Sequence, residues 1–381
     1  VTRLPGDWDG WLDERLATIR DQGRWRAHRT LDALGPRGDL VAGDGTRRPV
    51  VSFASNDYLG LSAHPAPAAA AHAALDRWGT GAGASRLVTG DRPVHDDLER
   101  ALATWKGTER AVLFPTGFAA NLGVLTTLGG PGVTIVSDEL NHASIIDGSR
   151  LARAEVAIAR HDDAAHVEAL VRAAPGPALV VADSVFSMDG DALDVAEIAD
   201  VCRRTGAVLV LDEAHAVLGP DPTPAELDGV EVVRVGTLSK ALGSLGGFAA
   251  CSGRVADLLV NAARSAIFTT GLSPADAAAA LASVGIVTGA EGAERRATLR
   301  RHIDRLRPGH PSPIVPVVLG DERRAVAASE ALLSEGLLVP AIRPPTVAPG
   351  TSRLRVTFSA AHTDDEVDHL VAALRRLEEA R

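Results

Sequence analysis

The stretch Ala207-Val208-Leu209-Val210-Leu211-Asp212-Glu213-Ala214-His215 is an unbroken apolar run that stops at an acid. A run apolar at every position reads as a strand covered on both faces, as in parallel sheets flanked by helices. A second run, Val230 to Val235, interrupted by Glu231 and Arg234, leads into Gly236-Thr237-Leu238-Ser239-Lys240-Ala241-Leu242-Gly243. Lys240 therefore lies just past a strand end in a glycine-flanked turn. In open α/β sheets ligands bind beyond the carboxyl ends of the strands, so Asp212 and Lys240 both fall where a ligand would lie.

Together these two residue types suit one cofactor. Pyridoxal 5'-phosphate (PLP) needs a lysine amine for its Schiff base, an acid for its pyridine nitrogen, and donors around its phosphate. Asp212 supplies the acid, Lys240 the amine, and Thr237 with Ser239 the donors. An isolated lysine in such a loop would be read as solvated, because Lys is rarely buried; the paired strand ends carry the assignment.

Outward from this centre, short apolar runs alternate with helical patterns, which predicts a doubly wound sheet. The predicted strands are 111–114, 133–136, 155–159, 178–182, 207–211, 230–235 and 248–251. Asp194 with Glu197 predicts a helix start, and Gly206 its end. The turn Thr116-Gly117-Phe118 feeds a helix whose first amides suit a phosphate. His142 follows the second strand and Ser187 the fourth, so Gly117, His142, Ser187, Asp212, His215 and Lys240 gather on one rim. Residues 8–34 read as a helix, from Trp8, Trp11, Leu12, Leu16 and Ile19.

Composition narrows the function. The chain has 381 residues, 46% of them hydrophobic, with 39 basic against 49 acidic side chains and a net charge of -10. That balance disfavours nucleic acid as a partner, and no apolar run is long enough to predict a membrane span. Two cysteines, Cys202 and Cys251, read as small core residues of a reducing compartment. Asp9, Asp13 and Glu14 are wrong for a signal peptide, so a cytoplasmic location is expected. The glycine-rich segment Gly79 to Gly90 lacks the lysine and spacing of nucleotide-binding loops.

The segments Asp212–His215 and Thr237–Gly243, with Ser55-Asn56-Asp57-Tyr58-Leu59-Gly60-Leu61, resemble the α-oxoamine synthases. These are fold-type I PLP enzymes that condense an amino acid with an acyl thioester and release carbon dioxide. The resemblance spans about Trp11 to Leu374. It implies a large PLP-binding domain with a mostly parallel seven-stranded sheet (51–275), a smaller C-terminal α+β domain (276–381) and an N-terminal helical segment (1–50). It also implies that Lys240, His142, Asp212 and His215 are catalytic, and that Gly117, Phe118, Ser187 and Thr237 contact PLP. Thr269 and Thr270 would reach the phosphate of a neighbouring subunit, which implies a homodimer. Arg26, Asn56, Arg343 and Thr346 would contact substrate, Arg343 being suited to a carboxylate, and no metal is implied. The string Ile342 to His362 is closest to the members that join L-alanine to a pimeloyl thioester, carried by coenzyme A or by an acyl carrier protein, in biotin synthesis. Members using another amino acid or acyl group, and non-catalytic partner subunits, remain the alternatives; Lys240 argues against the last. The chain departs from the family at Ala216-Val217-Leu218, in the short Gly219–Gly229 and Arg307–Pro313 segments, and at Val347-Ala348-Pro349-Gly350.

Overall fold

The structure, a computed structural model, describes residues 8–379. Seven strands form the central sheet: β4 (Arg110–Phe114), β5 (Thr134–Asp138), β6 (Glu155–Ala159), β7 (Ala178–Asp183), β8 (Val208–Asp212), β9 (Val232–Thr237) and β10 (Gly247–Cys251). Their order is β4-β10-β9-β8-β7-β5-β6, and only β10 runs antiparallel to its neighbours. All seven predicted strands are present.

Strand β8 shows why the sequence is apolar throughout. Val208 and Val210 pack into the core on one face, beneath the helix Gly117–Leu128, whereas Leu209 and Leu211 enter the core on the other face with Val195, Ile198 and Cys202. Each buried aliphatic side chain contributes about 1.5–3 kcal/mol, so neither face tolerates a polar residue until the strand ends. The helix Val195–Thr205 begins as predicted, with the Asp194 carboxylate accepting from the Glu197 amide at 3.0 Å, and ends at Gly206, whose φ of 72° is left-handed. Both cysteines are buried thiols.

The remaining strands make two smaller sheets. Strands β1 (Thr30–Leu34), β2 (Arg37–Val41) and β3 (Arg47–Ser52) form an antiparallel ribbon, and β12 (Leu337–Leu338) adds to it in parallel beside β3. Strands β11 (Ile314–Gly320), β14 (Ser352–Thr357) and β13 (Ala341–Ile342) form the other. The segment predicted as one helix over 8–34 is thus two elements. The helix Trp8–Asp21 is followed by Gly23 at φ 62°, and residues 30–34 are strand. Every residue of β1 is exposed, so it carries no alternation from which a strand could be read.

Candidate active site

The strand ends of β7, β8 and β9 and the start of the helix Gly117–Leu128 enclose a cleft of about 240 Å³. His142, Asp183, Asp212, His215 and Lys240 bring their ionisable groups to its wall, and Gly117, Phe118 and Thr237 line it.

Asp212 is the last residue of β8 and is buried. Its Oδ2 accepts from Asn121 Nδ2 at 2.6 Å and its Oδ1 from the Ala214 amide at 2.9 Å. The next residue fixes this end from behind: Glu213 is buried between Lys106 (2.7 Å) and Arg234 (2.6 Å). That pairing explains why a charged residue interrupts the apolar run of β9. Removing one partner would strand a buried charge, at a cost of about 3–5 kcal/mol.

Lys240 lies in the turn after β9, closed by the Gly243 amide donating to the Lys240 carbonyl at 2.9 Å. Gly243 has φ 61°, and a Cβ there would meet the Ser62 amide at 2.3 Å, so only glycine lets the turn approach this closely. The Lys240 ammonium loses solvation, which lowers its pKa against the opposing pull of Asp212 and Asp183. Its Nζ is 2.8 Å from His215 Nε2. Burial, and then the Lys240 charge, hold His215 well below the usual histidine range. On the other side of the ring, His215 Nδ1 is 2.5 Å from the Tyr58 hydroxyl.

His142 caps the helix Ala143–Leu151, accepting from the Ser144 amide, while its own amide donates to Asp183 Oδ2 at 2.7 Å. Burial lowers its pKa too. Asp183 is driven the other way, well above the carboxylate range, by burial and then by the charge of Asp212.

PLP fits these groups. Thr116 caps its helix by accepting from Ala119, and the first-turn amides of Gly117 and Phe118 have no partner within the helix. A Cβ at Gly117 would come within 3.2 Å of Thr237, and one at Gly247 within 2.5 Å of the Gly117 amide, so bare backbone is packed where a phosphate would be received. The buried carboxylate of Asp212 calls for a cation, which a protonated pyridine nitrogen supplies.

Ser187 lies in the turn after β7, outside the cleft wall; its carbonyl accepts from Arg355 Nε at 2.5 Å. Thr269 is half-buried and Thr270 exposed, beyond the short helix Arg264–Ile267 and away from this cleft. Arg26 and Thr346 are exposed, and Arg343 reaches the Gly23 carbonyl at 3.5 Å, joining the loop after β13 to the N-terminal segment. Asn56 is held from the C-terminal sheet: Arg355, buried within β14, places NH1 and NH2 at 3.3 and 3.2 Å from Asn56 Oδ1. The charge of Arg355 also acts on Lys240, His215 and Tyr58.

Sequence reading missed Asn121, Asp183 and Arg355 as members of this site, and gave Tyr58 no role. Asp183 carried a readable signal, an acid ending an apolar strand as Asp212 does. Arg355 carried none, because its partners Ser187 and Asn56 are 168 and 299 residues away.

The model of the aminotransferase class I and II family matches residues 48–374. An 8-amino-7-oxononanoate synthase from Methylobacterium sp. (strain 4-46) is 50% identical over 90% of this chain and 93% of its own length. Among solved structures, the Sphingomonas wittichii serine palmitoyltransferase is 32% identical with a TM-score of 0.87, covering 100% of this chain and 99% of that one. The S. paucimobilis serine palmitoyltransferase, solved with PLP and myriocin bound, has the same TM-score of 0.87 at 29% identity, over 100% and 99% of the two chains. The chain belongs to the aminotransferase class I and II family and, within it, to the family of the 8-amino-7-oxononanoate synthases.

Proposed function

We propose that this protein is a PLP-dependent acyltransferase that condenses L-alanine with a pimeloyl thioester, releasing carbon dioxide and the thiol, to give 8-amino-7-oxononanoate for biotin synthesis. The observation that carries the reading is the convergence of Lys240, His215, Asp212 and His142 on one cleft whose floor is a helix N-terminus. The names of its relatives support the substrate pair.

PLP, when bound, supplies an electron-accepting ring that makes the amino acid's α-proton removable. The chain's own residues do the rest. Asp212 would hold a positive charge at the ring nitrogen, and Asn121 and the Ala214 amide fix its carboxylate. Lys240 would hold the cofactor through its amine and, as a free amine, would take the α-proton; its lowered pKa brings it nearer the neutral, basic form. His142, at the cleft wall, would offer a flat face to the ring. Arg355, beside Asn56, receives the amino acid carboxylate by charge-assisted hydrogen bonds. This role moves from Arg343, whose loop meets the N-terminal segment near Arg26 and, with Thr346, suits the acyl thioester at the mouth.

In this reading residues 51–275 carry the cofactor, and 276–381 with 1–50 close the substrate side, which the pairing of β12 with β3 supports. A second copy of the chain would cover the exposed Leu87, Val88 and Phe268 and bring Thr269 and Thr270 to its partner's phosphate site, in a cytoplasmic homodimer. The test is a screen of the PLP-loaded protein against several amino acids and acyl thioesters, on coenzyme A and on carrier protein, with mass detection of products. Turnover confined to L-alanine and pimeloyl donors is expected; preference for another pair would overturn the assignment.

A further inference from the structure

Lys240 is the end of a continuous hydrogen-bonded chain that crosses between the two halves of the site. Arg355 NH1 and NH2 donate to Asn56 Oδ1 at 3.3 and 3.2 Å, the Tyr58 hydroxyl is 3.1 Å from the same oxygen and 2.5 Å from His215 Nδ1, and His215 Nε2 is 2.8 Å from Lys240 Nζ. Tyr58 and His215 are both buried, so each hydrogen has to be assigned to a neighbour in this chain.

Two hydrogen assignments are open, and they differ at Lys240: an ammonium would donate to His215 Nε2, leaving Nδ1–H to donate to Tyr58 and Tyr58 to Asn56 Oδ1, whereas an uncharged amine leaves Nε2 to donate. An amide oxygen has two lone pairs, and NH1 and NH2 of Arg355 both reach Asn56 Oδ1, NH1 also lying 3.1 Å from the Thr357 hydroxyl. Tyr58 has one proton to give, and Nδ1 of His215 has no other partner. If Nδ1 carried the hydrogen instead, Tyr58 would donate to Asn56 Oδ1 as a third donor on that oxygen; donation over the shorter contact, 2.5 Å to Nδ1, avoids that crowding. A neutral imidazole whose Nδ1 accepts carries its proton on Nε2.

We propose that Tyr58 is a positioning residue for the reaction: its hydroxyl donates to His215 Nδ1 and so fixes the tautomer in which His215 presents an N–H, not a lone pair, to the reacting side of the cleft. Burial keeps the Tyr58 phenol protonated and the His215 ring uncharged, so the arrangement persists across the neutral range. Where Lys240 is uncharged its lone pair accepts from this Nε2–H, which directs the amine. The same donor would suit a phenolic oxygen of the cofactor. Because Arg355 is the far end of the chain, a carboxylate seated there would compete with Asn56 for the Arg355 hydrogens, a change that the chain passes to His215 through Tyr58.

The inference rests on the reading of this cleft as the reacting site, and one experiment separates the two. Protein labelled with ¹⁵N at histidine is examined by NMR at neutral pH, with His215 assigned by its loss in His215→Gln. Wild type is expected to show the Nε2–H tautomer, and Tyr58→Phe, which keeps the ring and removes the hydroxyl, a shift toward Nδ1–H or a mixture. The PLP-loaded variant is expected to lose about tenfold in kcat with the KM for alanine within about threefold, and to have an altered kcat–pH profile. A wild-type His215 protonated on Nδ1 would overturn the inference whether or not the variant folds, as would an unchanged tautomer in Tyr58→Phe. The expected tautomer change with kcat untouched would overturn the positioning role of Tyr58, whereas full turnover in Lys240→Ala would overturn the reading of this cleft as the reacting site.

Discussion

The strand-end rim of the central sheet and the interior of β14 contribute opposite kinds of functional residue. On the rim, Asp212 and Lys240 sit where an apolar run stops, and the sheet topology alone brings such positions together. Inside β14, Arg355 is a buried guanidinium in the middle of a strand, held by a backbone carbonyl and an amide from distant parts of the chain. Chemistry at strand ends is encoded locally, whereas chemistry inside a strand is encoded by what the strand is packed against. The two regions are also expected to divide the labour, the rim acting on turnover and the β14 side on substrate affinity.

The division would be broken most severely at the rim. In the proposed reading Lys240→Ala removes both the attachment point and the base, and turnover is expected to fall by about 10⁴-fold with the fold retained by circular dichroism. Asp212→Asn keeps shape but loses charge. At least ~10²-fold of turnover is expected to go, since each 1.36 kcal/mol of lost transition-state stabilisation is tenfold in rate. A variant at either position that mainly changed KM would erase the distinction.

On the other side, Arg355→Ala and Arg343→Ala form a matched pair. A charge-assisted hydrogen bond is worth about 1.5–3 kcal/mol, so Arg355→Ala is expected to raise the KM for alanine about tenfold to a hundredfold. Arg343→Ala is expected to leave it within about threefold and to raise the KM for the acyl thioester instead. Steady-state kinetics with each substrate varied in turn checks both. The reverse pattern would return the carboxylate to the loop after β13.

The smallest effect concerns stability near the rim. His161 donates to Asp138 at 3.1 Å and to Asp191 at 2.6 Å, clasping the turn that carries Ser187 to the end of β5. These two carboxylates raise its pKa from 6.5 to about 10. The clasp's contribution to stability is therefore full below pH 6.5, declines as the unfolded histidine loses its proton above that pH, and is gone above about 10. The difference in Tm between wild type and His161→Gln is expected to shrink by a few degrees, of the order set by ~1 kcal/mol, between pH 6.5 and pH 10. A difference independent of pH would show that His161 is not the charged partner.

The same contrast explains what could be read from the sequence. The central strands were legible because burial on both faces leaves a continuous apolar signature, and Asp212, Lys240, His142 and His215 because each ends or follows such a run. The glycines of the phosphate cradle were legible as a turn entering a helix. The ribbon β1–β2 was not, since its exposed residues pair through backbone alone and leave no periodic pattern. Asn121 lies within a helix whose readable signal is its start at Gly117, and Tyr58 in a turn that Ser55, Asn56 and Asp57 account for. Asp57 does bond that turn, accepting from the Leu61 amide at 2.9 Å, yet the tyrosine beside it faces the site.

The central claim is that this cleft removes the α-proton of alanine on bound PLP, with Lys240 as the base. Its most direct test is deuterium incorporation at the α-carbon of L-alanine in heavy water, with PLP-loaded protein and no acyl donor, followed by NMR. Wild type is expected to exchange, Asp212→Asn at least ~10²-fold more slowly, and Lys240→Ala not measurably. Exchange in Lys240→Ala at the wild-type rate would contradict the account.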